Sequence, residues 1–337
     1  FLYFIAFPST TNLTSVITMF EASVQQGLLW KRLVDCINGL VNEANFDCSP
    51  GGLSIQAIDT SHVALVHLLL RGDGFTTYQC ERNEVLGLNL QALAKVLKVV
   101  DGGDSLTLRH VDDSDTLVIA TDNKDRSKHC EYQLKLMEFQ TEALGIPELE
   151  YNSSVTLSSA EFAKIARDMT VFGDTVTVDI DQSGVKFSCS GDVGEAMVML
   201  RSNAASDAVR TTTTATKSAA VKGETKPELK NETRVKPEPR NDDDEDAPIA
   251  KQFSSGVKQE KDAAAAAAIG VEVNIEEPVN LSFALRFMNI FAKGAALSER
   301  VTLYFARDSP CMIEFTLDKV GWLRYYLAPK VDDEGQQ

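Results

Sequence analysis

ALAKVLKVV, residues 92–100, decides how the whole chain is read. Its apolar residues Leu93, Val96, Leu97 and Val100 recur at i, i+3, i+4 and i+7, which at ~100° per residue makes one stripe of a helix. Lys95 and Lys98 fall on the opposite face. The same spacing returns in three other segments. LLWKRLVDCI places Trp30, Leu33, Val34 and Ile37 on a stripe, AEFAKIARDM places Phe162, Ile165, Ala166 and Met169, and FALRFMNIFAK places Ala284, Phe287, Met288 and Phe291. The residue two positions after the first stripe member is Arg32, Lys95, Lys164 and Arg286 in the four copies, ~200° round the helix from the core side. The next outward position is mixed, with Asp35, Lys98, Arg167 and Asn289, and Lys31 and Lys293 add charge nearby. Lys and Arg are 33 of 337 residues, so four matching basic positions point to a shared face rather than to ordinary solvation.

Around the helices lie segments that alternate apolar and polar residues about Asp, Ser and Gly turns. DSLTLRHVDDSDTLVIATD, DTVTVDIDQSGVKFSCSGD and RVTLYFARDSPCMIEFTLD each predict an antiparallel hairpin. The unit is therefore a helix with several strands, used four times, with helix starts roughly 60 to 70 residues apart once one composition-biased stretch is set aside. The predicted fold class is α+β, with two helices per domain on one face of antiparallel sheets.

That stretch is residues 203–268. It is rich in Thr, Ala, Lys, Glu and Pro, carries a DDDED run and six consecutive alanines, and holds a single aromatic residue, Phe253. Such a composition cannot fill a core and predicts a disordered insertion. The chain otherwise has 44% hydrophobic residues, enough for two ordinary domains. The formal charge of -16 and pI near 4.7 argue against a general nucleic-acid coat, so any DNA contact must be local. Six cysteines without CxxC spacing read as reduced thiols of an intracellular protein, which leaves the sequons at Asn12, Asn152 and Asn231 without a role. No stretch reads as a membrane span, and residues 1–18 read as an extension ahead of a start at Met19.

Catalytic signatures are missing from the sequence: there is no GxxxxGK[ST], HExxH, GxSxG or strand-borne GxGxxG. His62, His67, His110 and His129 are scattered, and His129 beside Cys130 has no second ligand pair. The sequence predicts no enzyme, no metal and no cofactor.

Several segments together resemble the eukaryotic sliding clamps, the proliferating cell nuclear antigen family. They are MFEASVQQGLLWKRLVD from Met19, AIDTSHVALV, LQALAKVLK, EYQLKLMEFQTEALGIPELEY, AEFAKIARD and LRYYLAPK. The resemblance runs over residues 19–201 and from 271 to the C-terminus. It implies a DNA-clamp fold and a homotrimeric ring of six similar domains with six-fold pseudo-symmetry, whose helices face duplex DNA in a central hole. The implied domains are residues 19–134 and 152–331, joined by a connector at 135–151 and followed by an acidic tail at 332–337.

By resemblance, the DNA-facing cations are Lys31, Arg32, Lys95, Lys98, Lys128, Lys135, Lys164, Arg167, Arg286 and Lys293. The family also implies a pocket for client proteins that carry a Gln-plus-two-aromatics motif. Leu144, Gly145, Ile146 and Pro147 would form its lip, and Ile58, His62, Val63, Pro310, Tyr326, Leu327, Ala328 and Pro329 its lining. Strands near residues 129–136 and 195–201 would join neighbouring subunits. The implied partners are double-stranded DNA read without sequence preference, further copies of the chain, DNA polymerase delta, the clamp loader, flap endonuclease and DNA ligase. A nuclear location and no membrane partner follow, with roles in replication, repair and translesion synthesis. A subunit of a heterotrimeric checkpoint clamp and a scaffold that never encircles DNA share the same fold-level signature.

One family feature is absent. The lysine that receives ubiquitin or its small relative in the family corresponds to Gln182, and Lys186 lies at another place on that hairpin. The insertion holds VKGE, VKPE and VKQE at 221–224, 235–238 and 257–260. Each is an aliphatic residue, a lysine, any residue and a glutamate, the tetrad read by the small-ubiquitin-like conjugating enzyme, which makes Lys222, Lys236 and Lys258 modification candidates.

Overall fold

Each helix sits between one strand and a run of three. The computed structural model describes residues 18–125, 127–139, 149–202 and 270–330. The first unit is β1 (Thr18–Val24), α1 (Leu28–Ile37), β2 (Glu43–Ser49), β3 (Gly52–Ile58) and β4 (Ala64–Arg71). The second is β6 (Glu84–Asn89), α2 (Leu90–Leu97), β7 (Ser105–Val111), β8 (Thr116–Asp122) and β9 (His129–Lys135). In the second half, β10 (Ser153–Ser158), α3 (Ser159–Met169), β11 (Thr175–Asp181), β12 (Gly184–Gly191) and β13 (Gly194–Arg201) make the third unit. The fourth is β15 (Val279–Ala284), α4 (Leu285–Phe291), β16 (Arg300–Phe305), β17 (Cys311–Leu317) and β18 (Gly321–Leu327). Two short strands, β5 (Thr77–Cys80) and β14 (Glu272–Ile275), stand outside the repeat.

The strand that opens each unit pairs with its neighbour unit. β1 lies beside β7 and β6 beside β2, and β10 lies beside β16 and β15 beside β11, all antiparallel. Each half is thus two units locked by exchanged strands, and neither unit can bury its helix alone. One sheet then runs through both halves in the order β14-β10-β16-β17-β18-β4-β3-β2-β6. Its centre is the β4–β18 ladder, from Gly321 opposite Leu70 to Leu327 opposite Ala64. Gly321 is needed there: φ is 154°, and a Cβ would lie 1.9 Å from the Leu69 carbonyl oxygen.

The helices form a layer against the apolar face of these sheets. α1 packs on α2 and α3 on α4, while α1 also meets the 3-10 turn Ala292–Ala296 that follows α4. The expected stripes supply the core: Trp30, Leu33, Val34, Ile37, Leu93, Leu97, Phe162, Ile165, Ala166, Met169, Phe287, Met288 and Phe291 are buried. Three details differ from the sequence reading. Ala284 precedes α4 and is half-exposed, and Leu285 is buried in its place because the helix starts one residue later. Val96 is only half-buried, and Val100 is buried although it lies beyond the end of α2. Residues 203–268, together with 1–17 and 332–337, lie outside the described residues.

All six cysteines are free thiols, five of them buried. Cys36 on α1 faces the Tyr325 hydroxyl on β18, and burial drives its thiol up to about 12. Tyr325 stacks on Phe291 at 4.3 Å and meets Phe315 edge-on at 6.4 Å, so one aromatic cluster ties α4 to the shared sheet. Phe291→Ala would empty the centre of that cluster at a cost of about 3–5 kcal/mol. Equilibrium urea denaturation is expected to show the loss as a lower midpoint, and an unchanged midpoint would mean that the cluster does not hold the layer.

Candidate nucleic-acid interface and partner pocket

The four outward positions carry Arg32, Lys95, Lys164 and Arg286, all exposed, with Lys98, Arg167 and Lys293 exposed beside them and Lys31 half-buried. Their position follows from the stripes: once the apolar side of each helix is fixed in the core, the residue ~200° away faces solvent. Acidic neighbours on the layer are few, with Asp35 exposed on α1 and Asp168 paired to Arg167 at 3.5 Å. Among the described residues, Lys95, Lys98 and Lys164 form no ion pair. Arg32 and Arg286 are engaged: Arg32 Nη1 donates to the Ala296 carbonyl at 3.1 Å. Arg286 lies 4.5 Å over the Phe287 ring and places Nη2 3.4 Å from Ser61 Oγ, and Lys293 lies over Gly39.

Two of the expected cations are not on this layer. Lys135 ends β9 with the same parity as His129 and Glu131, while Cys130, Tyr132 and Leu134 turn inward, so its side chain points away from the helices. Lys128 belongs to the turn before β9, where its amide donates to Asn123 Oδ1 at 3.2 Å. Val99 and Val171, 44% and 65% exposed, place apolar surface at the C-terminal ends of α2 and α3.

Most of the residues expected to line the pocket lie on the other face of the shared sheet. Strand register aligns Tyr304, Met312, Tyr326, Leu65 and Ile58 across β16, β17, β18, β4 and β3. Side chains in register on one face stand ~5 Å apart, which makes a continuous apolar row. Ile58, Val63, Pro310, Tyr326, Ala328 and Pro329 are half-buried and border it. Leu327 does not: it is opposite Ala64, has no exposed surface and points into the core, because strand parity alternates and Tyr326 already faces out. Leu144, Gly145, Ile146 and Pro147 lie outside the described residues. Tyr151, at the end of the connector, donates to the Pro310 carbonyl at 3.3 Å and sits 5.7 Å from the Tyr304 ring.

The row is bordered by a turn folded around a buried carboxylate. Asp59 accepts from the amides of Ser61, Val63 and Ala64 at 2.9, 2.8 and 2.7 Å and from the Ser61 hydroxyl. Burial alone would raise its carboxyl, and these bonds overcome that and hold it below the usual range. The turn puts exposed His62 at φ 55° and aims the Val63 carbonyl at the Ala328 amide, 3.0 Å away in the other half. A polar row runs beside the apolar one. Arg324 Nε bonds Glu314 at 2.6 Å and its guanidinium covers Trp322 at 4.0 Å. His67 contacts Gln56 at 3.3 Å, and burial with the Arg324 charge lowers it to about 4, which keeps it neutral at physiological pH. Sequence reasoning missed Leu65, Met312, Tyr304 and Asp59. Leu65 could have been found from the alternation in HVALV, and the rest carried no signal of their own.

The expected subunit strands are both sheet edges: β9 ends the five-stranded sheet and β13 the four-stranded one. Lys186 on β12 is tied to Asp179 at 2.7 Å, a bond that raises its ammonium above the usual lysine value. Lys222, Lys236 and Lys258 lie outside the described residues. Among the described residues no group of three or more His, Cys, Asp or Glu could hold a metal, and no helix is long and apolar enough to cross a membrane.

The family model for the N-terminal domain of proliferating cell nuclear antigen matches residues 19–143, and that for its C-terminal domain matches 145–223 and 252–330. The unmatched residues between the two parts of the second match fall inside the expected insertion. Two halves of one architecture, antiparallel sheets under a helix layer and matches over most of the chain agree: the chain belongs to the proliferating cell nuclear antigen family of sliding clamps.

Proposed function

We propose that the protein is a homotrimeric sliding clamp that encircles duplex DNA in the nucleus, confers processivity on a replicative polymerase and recruits replication and repair proteins without catalysing a reaction itself. Its two clamp domains are residues 19–134 and 152–331, with the connector between them. The observation that carries this reading is that the joint inside the chain has an unfilled counterpart at its ends. β4 and β18, the last strands of the first and fourth units, pair with each other, whereas β9 and β13, the last strands of the second and third, have no partner strand on their outer edges among the described residues. Gly194 opens β13 with φ 144°, as Gly321 opens β18 with φ 154°, yet a Cβ on Gly194 would have nothing within 4 Å.

Carrying the internal register across sets Ala196 of one copy opposite Tyr132 of the next, as Leu323 stands opposite Leu68 within the chain. Repeating one joint closes a ring and removes the free edges of β9 and β13. Scattered exposed cations suit the hole of such a ring, because phosphates every ~1.7 Å let Lys and Arg exchange partners without reading bases. Retention then comes from topology, and the acidic remainder of the chain repels DNA from the outside.

Loading the protein onto a primed circular duplex with a clamp loader and ATP, then linearising the DNA, is the direct test. Release on linearisation is expected for a ring, together with a trimer mass for the protein alone, and Ala196→Arg is expected to give folded monomers. Retention on linear DNA would overturn encirclement, and a trimer only with unlike subunits would indicate a checkpoint-clamp component.

Clients such as DNA polymerase delta, flap endonuclease, DNA ligase and the clamp loader would insert a one-turn helix with two aromatics against the Tyr326–Leu65–Ile58 row under the connector. Burial at ~25 cal/mol per Å² offers several kcal/mol before ordering costs. Leu65→Asp is expected to weaken a Gln-plus-two-aromatics peptide at least tenfold, or ~1.4 kcal/mol, in calorimetry. Equal affinity would remove the pocket from the reading.

The insertion serves as a modification platform at Lys222, Lys236 and Lys258. Remnant-peptide mass spectrometry on clamp from replicating cells is expected to find conjugates there, and conjugates confined to Lys186 or other lysines of the folded domains would refute the assignment.

A further inference from the structure

Gly87 lies in the middle of β6 without the positive φ that would call for glycine, yet nothing larger fits there. A Cβ would stand 1.9 Å from the carbonyl oxygen of Met137, and 3.0 Å from its carbonyl carbon and from the Phe139 ring. Met137 also donates its amide to the Gly87 carbonyl at 2.9 Å, and the amide before it, of Leu136, donates to the Asp115 carbonyl at 2.8 Å. The chain that leaves β9 therefore passes from the five-stranded sheet onto the outer face of the nine-stranded one at this residue.

Only the connector can yield to a larger residue. Leu86 and Leu88, 2% and 0% exposed in the core, hold β6 on both sides of Gly87, and the ladder with β2 fixes its register. Met137 is 43% exposed, so its side chain anchors little and the backbone contact is the seat. An added methyl has to push the Met137 carbonyl away, and the amide bond to Gly87 goes with it.

The seat is one end of a span. At the other end the Tyr151 hydroxyl donates to the Pro310 carbonyl and its ring lies beside Tyr304 on β16. In the order β16-β17-β18-β4-β3-β2-β6 the two ends are six strand spacings apart, ~29 Å at ~4.8 Å each. The row from Ile58 to Tyr304 lies on strands of that interval. Residues 139–151 reach ~40 Å when extended, which leaves ~11 Å of slack. Releasing Met137 to Phe139 adds three residues, ~10 Å of chain, and nearly doubles it.

We infer that Gly87 is a positioning residue for client binding: having no side chain, it seats the start of the connector on β6 and fixes how much chain is free above the row. The seat stands on the contacts themselves, and its bearing on clients rests on the pocket reading above.

The test compares the full-length protein with two variants, G87A and V85A. Val85 is on the same face of β6 and 61% exposed, so V85A removes apolar surface without touching the seat. Hydrogen exchange at the Met137 amide reads the seat, calorimetry with a Gln-plus-two-aromatics peptide reads the pocket, and the urea midpoint and assembled mass read the fold. G87A is expected to speed exchange at Met137 about tenfold. It is expected to weaken the peptide about fivefold, because the loosened chain must be ordered on binding, while midpoint and mass stay those of the wild type. V85A is expected to change none of these. Should G87A fold too poorly to measure, F139A removes the ring over Gly87 without altering β6 and takes its place with the same expectations. Unchanged exchange overturns the seat, and faster exchange with unchanged affinity overturns its role in client binding. Equal weakening by V85A overturns that role as well. A wild-type protein that binds no such peptide sinks the pocket reading and the client role together, a failure told apart from the others because it shows in the wild type.

Discussion

The β4–β18 ladder is the constraint on which the rest of the molecule depends. It pairs Gly321 through Leu327 with Leu70 back to Ala64 and so converts two similar halves into one nine-stranded sheet. Because side chains alternate along both strands, the ladder also decides which residues face the helices and which face outward. Leu323, Tyr325 and Leu327 go inward with Val66, Leu68 and Leu70, while Tyr326 and Leu65 meet on the outside. A one-residue slip would reverse every one of these assignments and place the Tyr325–Phe291 stack in water.

Among the described residues, the apolar row of the outer face at this joint has no counterpart at the β9 and β13 edges. At the matching rows of the two free edges, Asp179, Lys186 and Met199 lie in register across β11, β12 and β13, and Asp122 and His129 across β8 and β9. Lys186 is tied to Asp179, and His129 bonds Asp122 at 2.7 Å. Desolvating such groups to seat aromatic rings costs more than the rings return. If copies meet edge to edge, that joint repeats the backbone pattern of the internal one without its apolar row.

The helices were legible because their signal is local. A stripe such as Phe162, Ile165, Ala166 and Met169 is fixed by the 3.6-residue period, and burying it determines where Lys164 must point. The strands were legible as hairpins, but the parity of β18 was not. LRYYLAPK contains two adjacent tyrosines and a leucine, any of which could face out until pairing with β4 is known, which is why Leu327 was expected in the pocket and Leu65 was not. Lys135 was misplaced for the same reason at β9. Asp59 gave no signal, since its role depends on three amides that converge only once the turn has closed.

The cations show a further limit of local reading. The outward position on each helix reports that a residue faces away from its own core, and says nothing of what crosses in front of it. Arg32 and Lys95 occupy equivalent positions on α1 and α2, yet α1 lies against the second half of the chain, where the Ala296 carbonyl is within reach, and Lys95 meets no such neighbour among the described residues. A side chain already bonded to a helix end must give up that bond to hold a phosphate, whereas one free in solvent gives up only water. The outward positions therefore differ by neighbourhood: Arg32 is bonded across the joint, whereas Lys95 forms no ion pair among the described residues.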